Sequence, residues 1–228
     1  STSAVYFDDL HVDIGHANIL PPAKSDWQLV DDFEQPSPLD AWDLANASSQ
    51  SNIVAVEADG NHYLQRAASV DASPSTNAIA ARELPFTTQV GETITTFFRF
   101  KTSATNLRHS YGVSALDPAD PATYTEGDFE PQIRLTSGTD LDLYDGPAGT
   151  NGFIDAANNG SPIAALATDT WYKVWMVADN RGFASAGQTW QAYIKGGVYD
   201  QPTAISDVIF ARRQAEAPIT HLLNIATT

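Results

Sequence analysis

Two groups of side chains in this 228-residue chain are spaced so that they could do chemistry. The first is a set of carboxylates: Asp8, Asp9 and Asp13 fall in one stretch, and Asp31, Asp32 and Glu34 in the next. If those stretches are neighbouring strands, hard oxygen ligands converge there, and that density suits Ca²⁺. The spacing is not that of an EF-hand, so the same acids also read as a solvated sheet edge that resists aggregation. The metal reading places calcium at Asp8, Asp9, Asp31 and Asp32. The second group is polar and aromatic. Phe97 and Arg99 share one side of a strand-like run, as do Gln132 and Arg134, and likewise Gln191, Tyr193 and Lys195. Sugars stack their C–H faces on rings and offer hydroxyls to polar side chains. A groove lined by Arg99, Gln132, Arg134, Tyr193 and Lys195 would therefore bind a polysaccharide. The alternative is a plain solvated face.

Other chemistry is poorly served. Glu126, Asp128 and Glu130 alternate as the acids of a glycoside-cleaving pair would, but Gly127 and Pro131 make a loop of that stretch. The five histidines are scattered without ligand spacing, and no nucleophile elbow, phosphate-cradling loop or dinucleotide fingerprint occurs. Binding is favoured over catalysis.

The elements that must position these residues follow a period of two. From Trp171 to Gly197 the chain reads as a hairpin. Trp171, Lys173, Trp175 and Val177 alternate with Tyr172, Val174, Met176 and Ala178, and Trp190, Ala192 and Ile194 form one side of the return strand. Asp179-Asn180-Arg181-Gly182 supplies the turn between them. Both strands keep an apolar face, which places the pair inside a sheet, and Trp171, Trp175 and Trp190 are read as core. Glu92–Lys101 carries Ile94, Thr96, Phe98 and Phe100 on its inner side. Ala4–Ile14 is a strand whose alternation puts Tyr6, Asp8, Leu10 and Val12 on one side and Val5, Phe7, Asp9 and His11 on the other. About a dozen short strands and no helical period imply an all-β fold, a two-sheet antiparallel sandwich. The expected organisation is one domain over 1–228: a strand in 1–15, a connector over 16–27 and the main body over 28–228.

Twenty-eight acidic against twelve basic residues give a formal charge of −16. Nucleic acid and anionic lipid both need a basic face, so neither is an expected partner. No apolar run approaches the roughly 20 residues of a membrane-spanning helix. There is no cysteine, hence no disulfide and no thiolate metal site. The chain opens at Ser1 without Met or a signal-like segment, as expected of an excised piece of a larger multidomain chain or of a processed mature piece.

The segments LVDDFE, TTFFRF, WYKVWMVADN, AYIKGG, VIFARRQ and THLLNIAT together resemble the concanavalin A-like lectin/glucanase superfamily, and within it the laminin-G-like domains of secreted bacterial proteins. The resemblance implies a jelly-roll sandwich and a non-catalytic lectin-like module, secreted or at the bacterial cell surface, with a structural calcium. In that family a segment like VYFDDLHVD comes last, whereas here it comes first. The chain is then either permuted or begins with the final strand of a preceding copy. In both cases residues 4–14 should fill a place in the sheet. YIKGGVYDQ and PQIRL also resemble motifs of jelly-roll alginate lyases, which would give Gln132, Tyr193 and Lys195 roles in uronate elimination. The family's histidine is Arg134 here, which cannot act as a base at ordinary pH, and Ala81-Arg82-Glu83-Leu84-Pro85 lacks the family's two arginines. A lyase is therefore the alternative to a binding module, with a structural or adhesion repeat as the third class.

Overall fold

The computed structural model describes residues 3–22, 27–45, 51–68, 78–105, 107–115, 120–181 and 187–227. Among them the chain forms strands and two single-turn 3-10 helices, and no α-helix. The N-terminal half supplies β1 (Ser3–Ile14), β2 (Gln28–Asp31), β3 (Asp43–Ala45), β4 (Ser51–Val56), β5 (His62–Ala68), β6 (Ala78–Thr88), β7 (Thr93–Thr102) and β8 (Arg108–Ser114). The C-terminal half supplies β9 (Gln132–Leu135), β10 (Leu141–Asp145), β11 (Gly152–Asp155), β12 (Ala157–Asn158), β13 (Ser161–Pro162) and β14 (Tyr172–Asp179). It ends with β15 (Thr189–Gly196), β16 (Tyr199–Ala204), β17 (Ile209–Phe210) and β18 (Ile219–Thr227).

Two large antiparallel sheets pack face to face, so the fold is the all-β sandwich that the alternation implies. The first sheet runs β16-β15-β14-β7-β1-β5-β4, with β17 beside β15 and β2 beside β1. The second runs β11-β10-β9-β8-β18-β6-β3. The hairpin of β14 and β15 lies inside the first sheet, between β7 and β16, as two apolar faces require. The Gly182 of its expected turn lies outside the described residues, as do residues 23–26 of the connector.

The inner face of the first sheet presents Ile94, Phe98, Phe100, Tyr172, Val174, Met176, Trp190, Ala192 and Ile194 to Tyr111, Ile133, Leu143 and Leu222 of the second. Phe98 and Tyr111 meet across the gap with ring centroids 3.8 Å apart. Each such side chain, fully buried, contributes about 1.5–3 kcal/mol. Trp190 is held in place by carbonyls, its indole N–H shared between Tyr144 and Phe210 at 3.3 Å each.

β1 lies mid-sheet between β7 and β5 of its own chain. Its facing departs from simple alternation. Pairing with β7 passes from Asp8↔Arg99 to His11↔Phe97, so Asp9 and Leu10 oppose the single residue Phe98. Asp9 takes φ 50°, and its N–H bonds to the Asp8 carboxylate at 2.8 Å. This bulge inserts one residue and reverses the parity beyond it. Val5, Phe7, Leu10 and Val12 are therefore all buried inward, while Asp8, His11 and Asp13 face outward, bonded to groups on the outer side.

Polar composition concealed several strands. β16 contains Asp200, Gln201 and Pro202, and β3 sits in a stretch that reads as surface loop.

Candidate functional site

Because antiparallel partners share a face, the register of the first sheet turns its outer side into rows of side chains. Lys195, Lys173, Arg99 and Asp8 stand in one row across β15, β14, β7 and β1. Tyr193, Trp175, Phe97 and His11 form the next row. On the other side of the charged row lie Lys101, Tyr6 and Trp171.

The far end of this face is closed. The segment after β1 crosses it, tied down by Gly15 N–H to the Thr93 carbonyl at 2.7 Å and Asn18 N–H to Thr95 Oγ1 at 3.0 Å. Trp175 donates its indole N–H to the Leu20 carbonyl at 2.9 Å and is 0% exposed, packed with Trp27 and Phe97. Trp175 is therefore core-like, as expected, but on the outer face and under the connector. Tyr193 leans on the same cluster. Its hydroxyl donates to Gln191 Oε1 at 2.6 Å, and burial pushes the phenol up, so it is a neutral, anchored group.

The near end stays open. Arg99 is held by Asp8 and, through Nε, by Asp9 Oδ2 at 2.9 Å, and it stacks over Trp171 at 5.0 Å. Lys101 bonds to Glu57 at 2.6 Å among the rings of Trp171 (4.8 Å), Tyr6 (5.0 Å) and Tyr63 (5.6 Å). Trp171 itself donates to Glu57 Oε1 at 3.1 Å. Lys173 and Lys195 are different: they pair directly with each other across the sheet, and neither has a carboxylate partner among the described residues. Like charges placed opposite one another on neighbouring strands destabilise the sheet. In a chain of charge −16, two ammonium groups without a carboxylate partner among the described residues, beside the partly exposed Trp171, make a ligand-ready patch.

The expected sugar-binding residues are divided by the fold. Arg99, Tyr193 and Lys195 share the outer face of the first sheet. Gln132 and Arg134 lie on the outer face of the second, because Ile133 and Leu135 between and beyond them point into the core. Gln132 is fully buried, donating to Ser110 Oγ at 2.9 Å and accepting from Arg212 at 2.6 Å. Arg134 pairs with Asp142 at 2.6 Å and stacks on Phe153. A uronate-eliminating centre needs Gln132 and Tyr193 at the same sugar, and they are on opposite sides of the sandwich. Sequence reasoning missed Lys173, Lys101, Tyr6 and Trp171 as surface groups. The signal for two of them was present, since Lys173 shares a parity with Trp171 in the run WYKVW.

The carboxylates are also divided. β1 and β2 are neighbours, as convergence requires. Asp31 pairs with the inward Leu10, however, and so faces the core side, where Trp42 Nε1 (2.7 Å), Gln35 Nε2 (2.8 Å) and Phe33 N–H (2.8 Å) occupy it. Asp8 faces the other side, bound to Arg99 and to Asn61 at 2.9 Å. Burial raises its carboxyl despite those partners. Asp32 accepts the Glu34 N–H at 3.2 Å in a local turn. Among the described residues no three His, Asp or Glu side chains form a group that could hold a metal ion.

The stretch with Glu126 and Asp128 is a 3-10 turn with Thr125 capping it, and Glu126 accepts from Ser110 at 2.9 Å. Among the described residues no helix is long and apolar enough to cross a membrane. No protein-family model matches this chain, and no curated protein matches it.

Proposed function

We propose that this chain is a non-catalytic carbohydrate-binding module of a secreted or cell-surface bacterial protein, one part of a larger chain, and that it recognises a polysaccharide at the open end of the first sheet's outer face. The observation that carries this reading is the in-register row of Arg99, Lys173 and Lys195 beside the half-exposed ring of Trp171. A flat indole accepts the C–H face of a sugar, and ammonium groups donate to its hydroxyls or pair with its acidic substituents. That Lys173 and Lys195 have no carboxylate partner among the described residues favours glycans bearing carboxylate or sulfate groups.

The overall charge of −16 opposes such polymers at a distance. Screening confines that opposition to about 8 Å at physiological salt, so contact with the local cations decides binding. A structural calcium at the Asp8/Asp9 and Asp31/Asp32 region belongs to the same proposal. It would have to compete with Arg99 for Asp8 and with Trp42 for Asp31.

The test is a glycan array followed by titration calorimetry on the retained polysaccharide, with Trp171→Ala and the Lys173→Ala/Lys195→Ala pair. Hydrogen bonds to charged groups contribute about 1.5–3 kcal/mol each, so either variant should weaken binding tenfold or more. Equal affinity in wild type and both variants would remove the site from this face.

A further inference from the structure

The outer face of the second sheet carries a cavity that the site on the first sheet does not use. A row of three side chains in register lines it: Arg134 on β9 pairs with Asp142 on β10, and Asp142 pairs with Asp155 on β11. Arg134 and Asp142 are bonded at 2.6 Å, and stacking on Phe153 at 3.3 Å fixes the plane of the guanidinium. Thr136 and Asp140 enter from the β9–β10 turn, which is closed by the Thr136 N–H on the Asp140 carbonyl at 2.9 Å. Pro162 and Ile163 enter from the end of β13, tied back by the Ile163 N–H on the Ala156 carbonyl at 3.0 Å. These side chains line one space of about 460 Å³. Small-molecule sites measure roughly 300–1,000 Å³, so a ligand of sugar size has room.

The lining is charged beyond what its own pairing satisfies. Asp142 and Asp155 are like charges directly opposite one another on neighbouring strands, which weakens a sheet. Asp140 and Asp155 are exposed, and neither is in an ion pair among the described residues.

We propose that this cavity is a second carbohydrate site, for an uncharged saccharide unit, on the opposite side of the sandwich from the cationic row. The chemistry of the lining selects the class. Three carboxylates against one guanidinium repel the acidic groups that Lys173 and Lys195 would accept. A metal ion does not fit, because the guanidinium occupies the central carboxylate and no three His, Asp or Glu among the described residues form a group that could hold one. An amine would satisfy the carboxylates but be repelled by Arg134. Sugar hydroxyls both donate and accept, and the bonded Arg134–Asp142 pair sets N–H donors beside carboxylate acceptors, as two neighbouring hydroxyls require. Asp140 and Asp155 add charged acceptors, which make the stronger hydrogen bonds. Pro162 and Ile163 give the C–H side of the ring an apolar surface. With an acidic glycan on one face and a neutral one on the other, the module links two polysaccharides.

The two sites are independent, and one titration separates them. The intact chain, labelled with nitrogen-15, is titrated with neutral glucan, mannan and galactan oligosaccharides and followed by NMR. Backbone resonances of Thr136, Asp140, Asp142, Asp155 and Ile163 should shift, while those of Lys173 and Lys195 stay in place. Asp155→Asn keeps the shape of an exposed side chain and removes its charge. It should weaken binding about tenfold, the equivalent of one charge-assisted hydrogen bond, with a melting midpoint no lower than that of the wild type. Lys173→Ala/Lys195→Ala should lose acidic glycans and keep the neutral ones, so failure of the first site would leave the second standing. The absence of shifts with every neutral oligosaccharide at millimolar concentration would refute the second site. Shifts confined to Trp171 and its neighbours, binding that disappears in chelator, or equal affinity in wild type and Asp155→Asn would refute it as well.

Discussion

Glu130 offers the sharpest test of the packing on the second sheet's outer face. Its side chain is 0% exposed, Oε2 accepts the Ala215 N–H at 3.4 Å, and Oε1 has no partner among the described residues. Burial raises its carboxyl to about 8, against smaller opposing contributions from the Ala215 and Gln214 N–H groups and the Arg213 charge. The folded state therefore keeps a proton that the unfolded chain releases above its ordinary value of 4.5. Between those limits the folded state binds more protons, so stability is full below pH 4.5 and falls as pH rises towards 8. His109 works in the opposite sense. It is held neutral inside, so stability contributed by its neutral form is lost as pH falls below its ordinary 6.5. From pH 6.5 to 8 only the Glu130 effect of this pair operates. At about 1.4 kcal/mol per pH unit, that window should cost roughly 2 kcal/mol, or a melting midpoint lower by about 4–8 °C. Glu130→Gln has the same shape and does not titrate, so the difference between wild type and variant isolates the carboxyl from every other group. The assay is denaturant unfolding at pH 6.5, 7.25 and 8 for both proteins. Parallel curves with no pH-dependent difference would refute a buried, proton-retaining Glu130.

Three further outcomes are expected. Deleting residues 1–15 removes a strand from the middle of the first sheet, leaving β7 and β5 without their shared partner; the truncated chain should be unfolded or insoluble, and a monomer melting like the full chain would contradict the central placement of β1. Arg99→Met strands the buried Asp8 carboxyl without its counter-charge and should cost about 3 kcal/mol in denaturant unfolding, most of it recovered in Arg99→Met/Asp8→Asn. A loss under 1 kcal/mol would show that the ion pair is not what keeps Asp8 inside. The calcium proposal requires a higher melting midpoint in millimolar calcium than in chelator, by about 2.7 kcal/mol of stabilisation at a hundred times the dissociation constant; after stripping of any bound metal, equal midpoints would eliminate it.

Alternation along the chain was enough to find β7, β14 and β15, because a strand buried on one side must repeat its apolar residues every second position. In the hairpin it grouped the side chains that share a face, Tyr172 to Ala178 and Trp190 to Ile194, but it read Trp171 and Trp175 as core, whereas the Tyr172 to Ala178 face is the one turned to the other sheet. Periodicity says which side chains share a face of their own strand. It says nothing of which sheet that strand joins, since pairing is a contact between distant segments. Gln132 and Arg134 thus read like Tyr193 and Lys195 in sequence, yet the two pairs ended on opposite sides of the molecule. Nor does periodicity survive an inserted residue. A single left-handed residue, Asp9, turned Leu10 inward, and with it set Asp31 against the core and Asp8 against Arg99. Trp175 and Arg66 make the same point from burial. Only the crossing of residues 15–22 hid the indole on an outer face, and only the alanines of β6 and β18 made space for a guanidinium between the sheets.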